Sequence, residues 1–179
     1  MDNIMAVFKK KRILVAQILL IIGMVISLVL LYEHFSPSEA SFCTFGSQFD
    51  CNIVNKSPYA NLDGISYFLT MDKGLSLPLI DLASQGWFLD LITANAFLGF
   101  LTLFFVFGLT RSYQRKKDFL FVKNIHLLSW MKWILLFGVL YGLYLIYIQH
   151  YIIKSYCILC LSLDVVLIIS LLLVWRMKP

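Results

Sequence analysis

Four long apolar segments constrain the fold of this chain more than any other feature of its sequence. They lie at about residues 13–31, 88–109, 127–148 and 156–175. Each approaches the ~20 apolar residues that an α-helix needs to cross a hydrocarbon core about 30 Å thick. The 60% share of hydrophobic residues is also far above that of an ordinary soluble domain. The sequence therefore predicts an all-α membrane protein, a bundle of four transmembrane helices in a single domain, 1–179, surrounded by lipid.

The first apolar segment has one alternative interpretation, as a signal peptide. Basic residues at 9–12 precede it, and Ser38-Glu39-Ala40 is similar to a cleavage site. The apolar stretch is, however, longer than the usual core of a signal peptide. We therefore predict that the segment stays in place as the first transmembrane helix.

The basic residues predict how the bundle is oriented. Twelve of the fifteen lysines and arginines border the apolar segments on one side, and Lys56, Lys73 and Lys154 are the three on the other. Because basic residues accumulate in cytoplasmic loops, both termini are predicted to be cytoplasmic. The long loop at about 32–86 is then extracytoplasmic, and its apolar part before Trp87 is predicted to cap the outer end of the bundle. Since the basic residues flank apolar segments, nucleic acid is not expected as a partner.

All four cysteines fall on the predicted outer side. Cys43 and Cys51 belong to the loop, and Cys157 and Cys160 open the last apolar segment. Disulfides form and persist on this oxidising side, so two redox pairs are expected. A C-x-x-C at a helix N-terminus is reactive, because the helix dipole and free N–H groups stabilise a thiolate. Gly46 and polar neighbours suggest a flexible loop, so we expect an exposed loop disulfide that exchanges with the second pair.

Asp164 is the one charged residue in the last apolar segment. At 100° per residue it shares a narrow helical face with Cys157 and Cys160, roughly 10 Å deeper than Cys157. Ionisable groups within a span usually face the bundle interior or a polar cavity. This face therefore predicts a pocket in which a lipid-soluble molecule meets a dithiol. A structural hydrogen bond from Asp164 to a neighbouring helix is the alternative; a zinc site would leave the carboxyl unexplained, so no metal is expected.

The stretch "FDCNIVNKSPYANLDGI", residues 49–65, resembles the loop signature of the vitamin K epoxide reductase family. In that family, two loop cysteines are followed by a serine and a Gly-Ile-Pro step, and a C-x-x-C opens the last helix of a four-helix bundle. The resemblance covers nearly the whole chain. The bacterial disulfide-bond quinone oxidoreductases also have four thiols and four helices, but their C-x-x-C comes first.

The resemblance implies a membrane thiol–quinone oxidoreductase that supports disulfide bond formation. It implies that a quinone binds beside Cys160 and that Cys157 exchanges with Cys51. Cys43 would then face a thioredoxin-fold partner, which is expected to be a separate protein because the chain ends at Pro179. A prokaryotic cell membrane is favoured over the endoplasmic reticulum. The competing interpretation is a non-enzymatic membrane scaffold whose loop disulfide is a structural link worth about 2–3 kcal/mol.

The resemblance also implies residues that bind the quinone. Ser57 corresponds to the family serine, and Asn95 to an asparagine that hydrogen-bonds a quinone carbonyl. Asp164 is the third quinone-binding candidate, although animal members have a tyrosine at this position. The sequence also has Gly-Ile-Ser at 64–66 in place of Gly-Ile-Pro. Menaquinone, ubiquinone and vitamin K quinone or epoxide therefore all stay candidate substrates.

Overall fold

A computed structural model describes residues 2–36, 43–45, 48–71, 81–120 and 122–177. Seven α-helices are formed in these ranges: α1 Asp2–Phe35, α2 Cys51–Asn55, α3 Asp63–Met71, α4 Trp87–Thr93, α5 Asn95–Arg115, α6 Leu127–Ile148 and α7 Ile158–Trp175. Two short strands, β1 Thr44–Phe45 and β2 Phe49–Asp50, pair as an antiparallel hairpin. Several positions named above lie outside the described residues, namely 38–40, Gly46, Lys73, the apolar loop residues 75–80 and Pro179.

Four helices are long and apolar enough to cross a membrane, as predicted, and the structure is mostly helical. Their membrane-compatible stretches are Lys11–Phe35, Asn95–Arg115, Asn124–Ile153 and Ile158–Trp175. The four helices form a closed ring, in which α1 packs on α5 and α7, and α6 packs on the same two helices. Side chains such as Leu20, Leu103 and Leu135 fill the centre of this ring. Much of the outward surface is apolar, as a lipid environment requires.

The second span differs from the prediction, which placed one helix at about 88–109. The chain instead breaks at Ala94, where φ −58° and ψ 126° leave the helical region, and the span runs from 95 to 115. The break is made by tertiary contacts, since Asn61 bridges to Ala94 and the Leu62 N–H donates to the Thr93 carbonyl at 3.0 Å. No proline or glycine at the break signals it in the sequence.

Different parts of the chain meet at the two ends of the bundle. At one end, here called the terminal end, α1 begins and α7 finishes, and an Arg12 guanidinium nitrogen donates to the Arg176 carbonyl at 3.1 Å. The opposite end, here called the cysteine end, carries all four cysteines and the segments between α1 and α5. Because the number of spans is even, both described ends of the chain lie at the terminal end of the bundle.

Polar side chains join the segments at the cysteine end. The Asn55 amide donates to the Leu30 carbonyl at 2.6 Å, and His34 Nδ1 lies 2.7 Å from the Asn55 carbonyl. His34 Nε2 lies 3.0 Å from Asp90 Oδ1, which also accepts from the Asn61 amide at 2.7 Å. These contacts hold α2 and α4 against the end of α1.

Candidate redox site and membrane cavity

The four cysteines form two pairs at disulfide distance. The Cα atoms are 5.5 Å apart in the Cys43–Cys51 pair and 5.2 Å apart in the Cys157–Cys160 pair, within the usual range for disulfides. Among the described residues, no group of three or more His, Cys, Asp or Glu side chains could hold a metal ion. The arrangement suits thiol–disulfide chemistry.

The expectation of an exposed loop disulfide is wrong. Cys43 is 1% exposed and Cys51 is 0% exposed. Asp50 accounts for part of this burial, because its carboxylate accepts from the Asn52 and Ile53 N–H groups and so starts α2 at Cys51. Both loop cysteines then belong to an apolar cluster that also contains Cys157. The loop pair is therefore shielded from large molecules in this conformation.

A short β-contact ties the loop pair to the C-x-x-C segment. Phe49 of β2 forms a parallel bridge with Tyr156, the residue just before Cys157. The Asp50 N–H donates to the Tyr156 carbonyl at 3.0 Å, and the Tyr156 N–H donates to the Gln48 carbonyl at 2.9 Å. This pairing brings segments together that are about a hundred residues apart in the chain. The two redox pairs are thus parts of one structural unit.

The C-x-x-C lies at the N-terminus of α7, as predicted. Cys157 is the N-cap residue, and its Sγ accepts from the Cys160 N–H at 3.1 Å. The Cys157 N–H in turn donates to the side-chain carbonyl of Gln149 at 2.9 Å. Gln149 is buried, so its amide holds the start of α7 in a fixed orientation. Free N–H groups at a helix N-terminus stabilise a thiolate, which favours Cys157 as an exchanging sulfur.

A cavity of about 80 Å³ opens beside Cys160. Its wall includes all three residues that the sequence analysis named as quinone-binding candidates. Ser57, Asn95 and Asp164 line it, together with Asn55, Tyr59, Gln149 and apolar side chains. Of the four cysteines, all of which the structure describes, Cys160 alone lines this cavity. A second, largely apolar cavity of about 350 Å³ follows α5, α6 and α7 and shares Asn95 and Asp164 with the first. The two cavities together run from the thiol into the membrane-spanning part of the bundle.

Asn95 is held by two hydrogen bonds from outside its own helix. Its Nδ2 donates to the Tyr59 carbonyl at 2.9 Å, and its Oδ1 accepts from the Tyr141 hydroxyl at 2.8 Å. Since a backbone carbonyl can only accept, the orientation of the amide is determined. One Nδ2 hydrogen is left over for a molecule in the cavity. Sequence analysis missed Tyr141, although the tyrosines in "LYGLYLIY", 140–147, are a polar signal within an apolar span.

Gly64 explains how Tyr59 comes to face Asn95. A Cβ at this glycine would lie 2.7 Å from the Tyr59 Cα, so only glycine allows this close approach. The Gly64 N–H also donates to the Asn61 carbonyl at 2.9 Å. The glycine of the loop signature therefore serves to position the Tyr59 backbone.

Asp164 lines both cavities and packs against α6 at Gly142. A Cβ at Gly142 would collide with the Asp164 carboxylate, so the glycine makes room for it. Within the described ranges, the structure contains no hydrogen bond to this carboxylate and therefore no partner for the structural alternative. Asp164 is thus positioned by packing and is open to the cavity.

Ser57 borders the cavity from the loop side. Its Oγ donates to the Val54 carbonyl at 2.7 Å, which leaves its lone pairs to accept a hydrogen bond. Its neighbour Tyr59 is a lining residue in the same wall. Burial raises the pKa of the Tyr59 phenol above its ordinary value, so this group stays protonated at physiological pH.

The comparison with known families agrees with this arrangement. The family model described as "Vitamin K epoxide reductase family" matches residues 14–175. This range includes all but the first three residues of the four spans, both cysteine pairs and all the cavity residues named above. No curated protein sequence matches the chain.

Proposed function

Because the chain belongs to the vitamin K epoxide reductase family, whose members are membrane oxidoreductases, we propose that it transfers electrons from protein thiols to a quinone. The observation that carries this proposal is that Cys160 shares one cavity with Asn95 and Asp164. In the reaction, two thiols lose their S–H bonds and form one disulfide. The quinone gains the two electrons and two protons and becomes a hydroquinone.

Asn95, Ser57 and Asp164 each have a role in this proposal. The remaining Asn95 N–H donates to one quinone carbonyl, and Ser57 accepts from a hydroxyl of the product. Asp164 exchanges a proton with the ring oxygen or hydrogen-bonds it. The adjoining apolar cavity suits the lipid-soluble part of menaquinone, ubiquinone or vitamin K. Purified protein, dithiothreitol and a short-chain quinone, followed by quinone absorbance, test the activity.

The loop pair connects this site to a protein substrate in our proposal. Cys157 exchanges with Cys51, and Cys43 then receives electrons from a separate thioredoxin-fold protein. The shared apolar cluster of Cys51 and Cys157 supports the first exchange. The result is the formation of disulfide bonds in extracytoplasmic proteins. We also propose that the long loop caps the outer end of the bundle.

A membrane scaffold is the second candidate, favoured by one observation. The Cys43–Cys51 pair is fully buried, as expected for a disulfide that only stabilises the loop. Such a link would contribute about 2–3 kcal/mol to the free energy of unfolding. It would not, however, account for a cysteine and an unpaired carboxyl in the same membrane cavity.

We propose that the cysteine end is extracytoplasmic, in a prokaryotic cell membrane, and that both termini are cytoplasmic. Ser84 and Lys123 are exposed at opposite ends of the bundle. Each substitution is made in a cysteine-free variant of the protein. In intact cells, a membrane-impermeant maleimide is expected to label Ser84→Cys but not Lys123→Cys. Permeabilised cells, in which both should react, are the control. If only Lys123→Cys were labelled in intact cells, the protein would have the opposite orientation to the one proposed.

The hydrogen bond from Tyr141 to Asn95 is expected to affect quinone binding. Tyr141→Phe keeps the ring but frees the Asn95 amide, and loss of about 1 kcal/mol corresponds to a roughly fivefold higher KM for the quinone. Steady-state kinetics with varied quinone measure this effect. Tyr144→Phe is the matched control, since its hydroxyl makes only a 3.4 Å contact with the Gly64 carbonyl. Equal KM changes in both variants would contradict the assignment.

A further inference from the structure

A separate pocket of about 320 Å³ lies at the terminal end of α5, far along the helix from Asn95. Aromatic side chains form one part of it and cationic side chains the other. The aromatic part contains Phe104, Phe107 and Phe119, and the cationic part contains Arg111, Arg115 and Lys117. Nothing in the redox proposal uses this pocket.

The pocket is formed because the loop after α5 folds back onto the helix. Lys116 and Leu120 adopt left-handed backbone conformations, with φ of 54° and 49°, and Phe119 bridges to Val122. The Phe119 ring then packs directly on Gly108, where a Cβ would lie 2.5 Å from the ring. The pocket is therefore a built feature of the fold.

The aromatic and cationic parts lie at different depths along α5. Arg111 and Arg115 are four residues apart and share a helix face, and the membrane-compatible stretch ends at Arg115. Phe104 is seven residues before Arg111, roughly 10 Å closer to the membrane centre. It is 58% exposed, as expected for contact with lipid. The guanidinium groups thus belong at the level of the lipid headgroups, and the Phe104 ring at the level of the acyl chains.

The cations of this pocket are available for an anion. In the described part of the chain, Arg111, Arg115 and Lys117 form neither an ion pair nor a side-chain hydrogen bond. Asp118 is the acidic residue of the pocket, and one of its oxygens already accepts from the Asn124 N–H at 2.7 Å. Three cations and one carboxylate leave a positive balance. Guanidinium groups bind phosphate through paired N–H donors.

We propose that this pocket binds the phosphate headgroup of an anionic phospholipid, with Arg111 and Arg115 on the phosphate and an acyl chain against Phe104. Charge alone would attract lipid to any basic loop. The geometry adds an aromatic surface in line with two guanidinium groups, which matches one amphipathic molecule. The bound lipid anchors the terminal end of α5, the helix that carries Asn95 at its other end.

Native mass spectrometry of the detergent-purified protein, titrated with phosphatidylglycerol or phosphatidylcholine, tests this proposal. The intact protein is expected to retain phosphatidylglycerol more tightly. Near an anionic headgroup each basic residue contributes about fivefold in affinity, so Arg111→Gln/Arg115→Gln should weaken phosphatidylglycerol binding roughly 25-fold. Lys11→Gln/Lys123→Gln removes the same charge at exposed sites outside the pocket and should change the affinity less than twofold.

Further measurements distinguish a lipid site from a phosphate site. Phe104→Ala is expected to weaken phosphatidylglycerol binding while leaving the unfolding temperature unchanged. Glycerol phosphate, which has the headgroup chemistry but no acyl chain, should not displace the lipid at millimolar concentration. Equal retention of both lipids, equal losses in the two double variants, or displacement by glycerol phosphate would each overturn the proposal. Unaltered binding in Phe104→Ala would also contradict it.

Discussion

Cys160→Ser is expected to reduce quinone turnover to the background rate, whether the electron donor is dithiothreitol or a reduced protein partner. The reason is that Cys160 is the one cysteine of the four that lines the cavity beside Ser57, and the C-x-x-C disulfide with Cys157 cannot form without it. Quinone absorbance in the purified protein measures the rate. Unchanged thermal unfolding would show that the loss is chemical. Serine is the conservative replacement, since it keeps the size of the side chain.

Cys43→Ala and Cys51→Ala are the matched controls in the loop pair. Both should abolish oxidation of the protein partner, because a folded partner needs the relay through the loop. Dithiothreitol is small enough to reduce the Cys157–Cys160 disulfide directly and should still support quinone reduction. The contrast between the two electron donors therefore separates the relay from the quinone step.

Two outcomes would contradict this assignment. A Cys160→Ser variant that keeps its turnover would exclude the cavity thiol and favour the scaffold. Folded loop variants that are inactive with dithiothreitol would show that the quinone step itself needs the loop pair. The second outcome would reject the division of labour between the pairs but retain the oxidoreductase.

Asp164→Asn is expected to lower the rate of quinone reduction by about 10²–10⁴-fold, the range of a general acid–base contribution. Asparagine keeps the shape of the carboxyl and most of its hydrogen bonding, but it cannot exchange a proton. The pH dependence of turnover should change as well, because one titrating group is removed from the cavity. Initial rates measured across pH test both effects.

The thiol–disulfide step provides the control for Asp164. In Asp164→Asn, alkylation of free thiols should show normal exchange between the two cysteine pairs. Ser162→Ala is a matched substitution on the opposite face of the same helix, where the hydroxyl donates to the Ile158 carbonyl, and it should leave turnover unchanged. Turnover and pH dependence that are both unchanged in Asp164→Asn would leave Asp164 with a packing role. The polar chemistry of the cavity would then rest on Asn95 and Ser57.

Much of the fold was predictable because it depends on local sequence. The four spans follow from the length and hydropathy of continuous segments, and these properties need no knowledge of neighbouring helices. The position of Cys157 at a helix N-terminus follows from the place where the last apolar run begins. Helical periodicity likewise puts Cys160 and Asp164, four residues apart, on the same face, and both line the cavity.

The tertiary structure alone decided the features that join distant segments. The loop cysteines are buried because their segment pairs with Tyr156, and α5 starts at Asn95 because the loop contacts the chain around Ala94. Likewise, Tyr59 and Tyr141 orient Asn95, from 36 residues before it and 46 residues after it. Helix periodicity and hydropathy report only on neighbours in the chain, whereas these contacts depend on which helices and loops pack together. The sequence by itself determined which segments span the membrane and where the thiols begin a helix; packing determined which groups share the cavity.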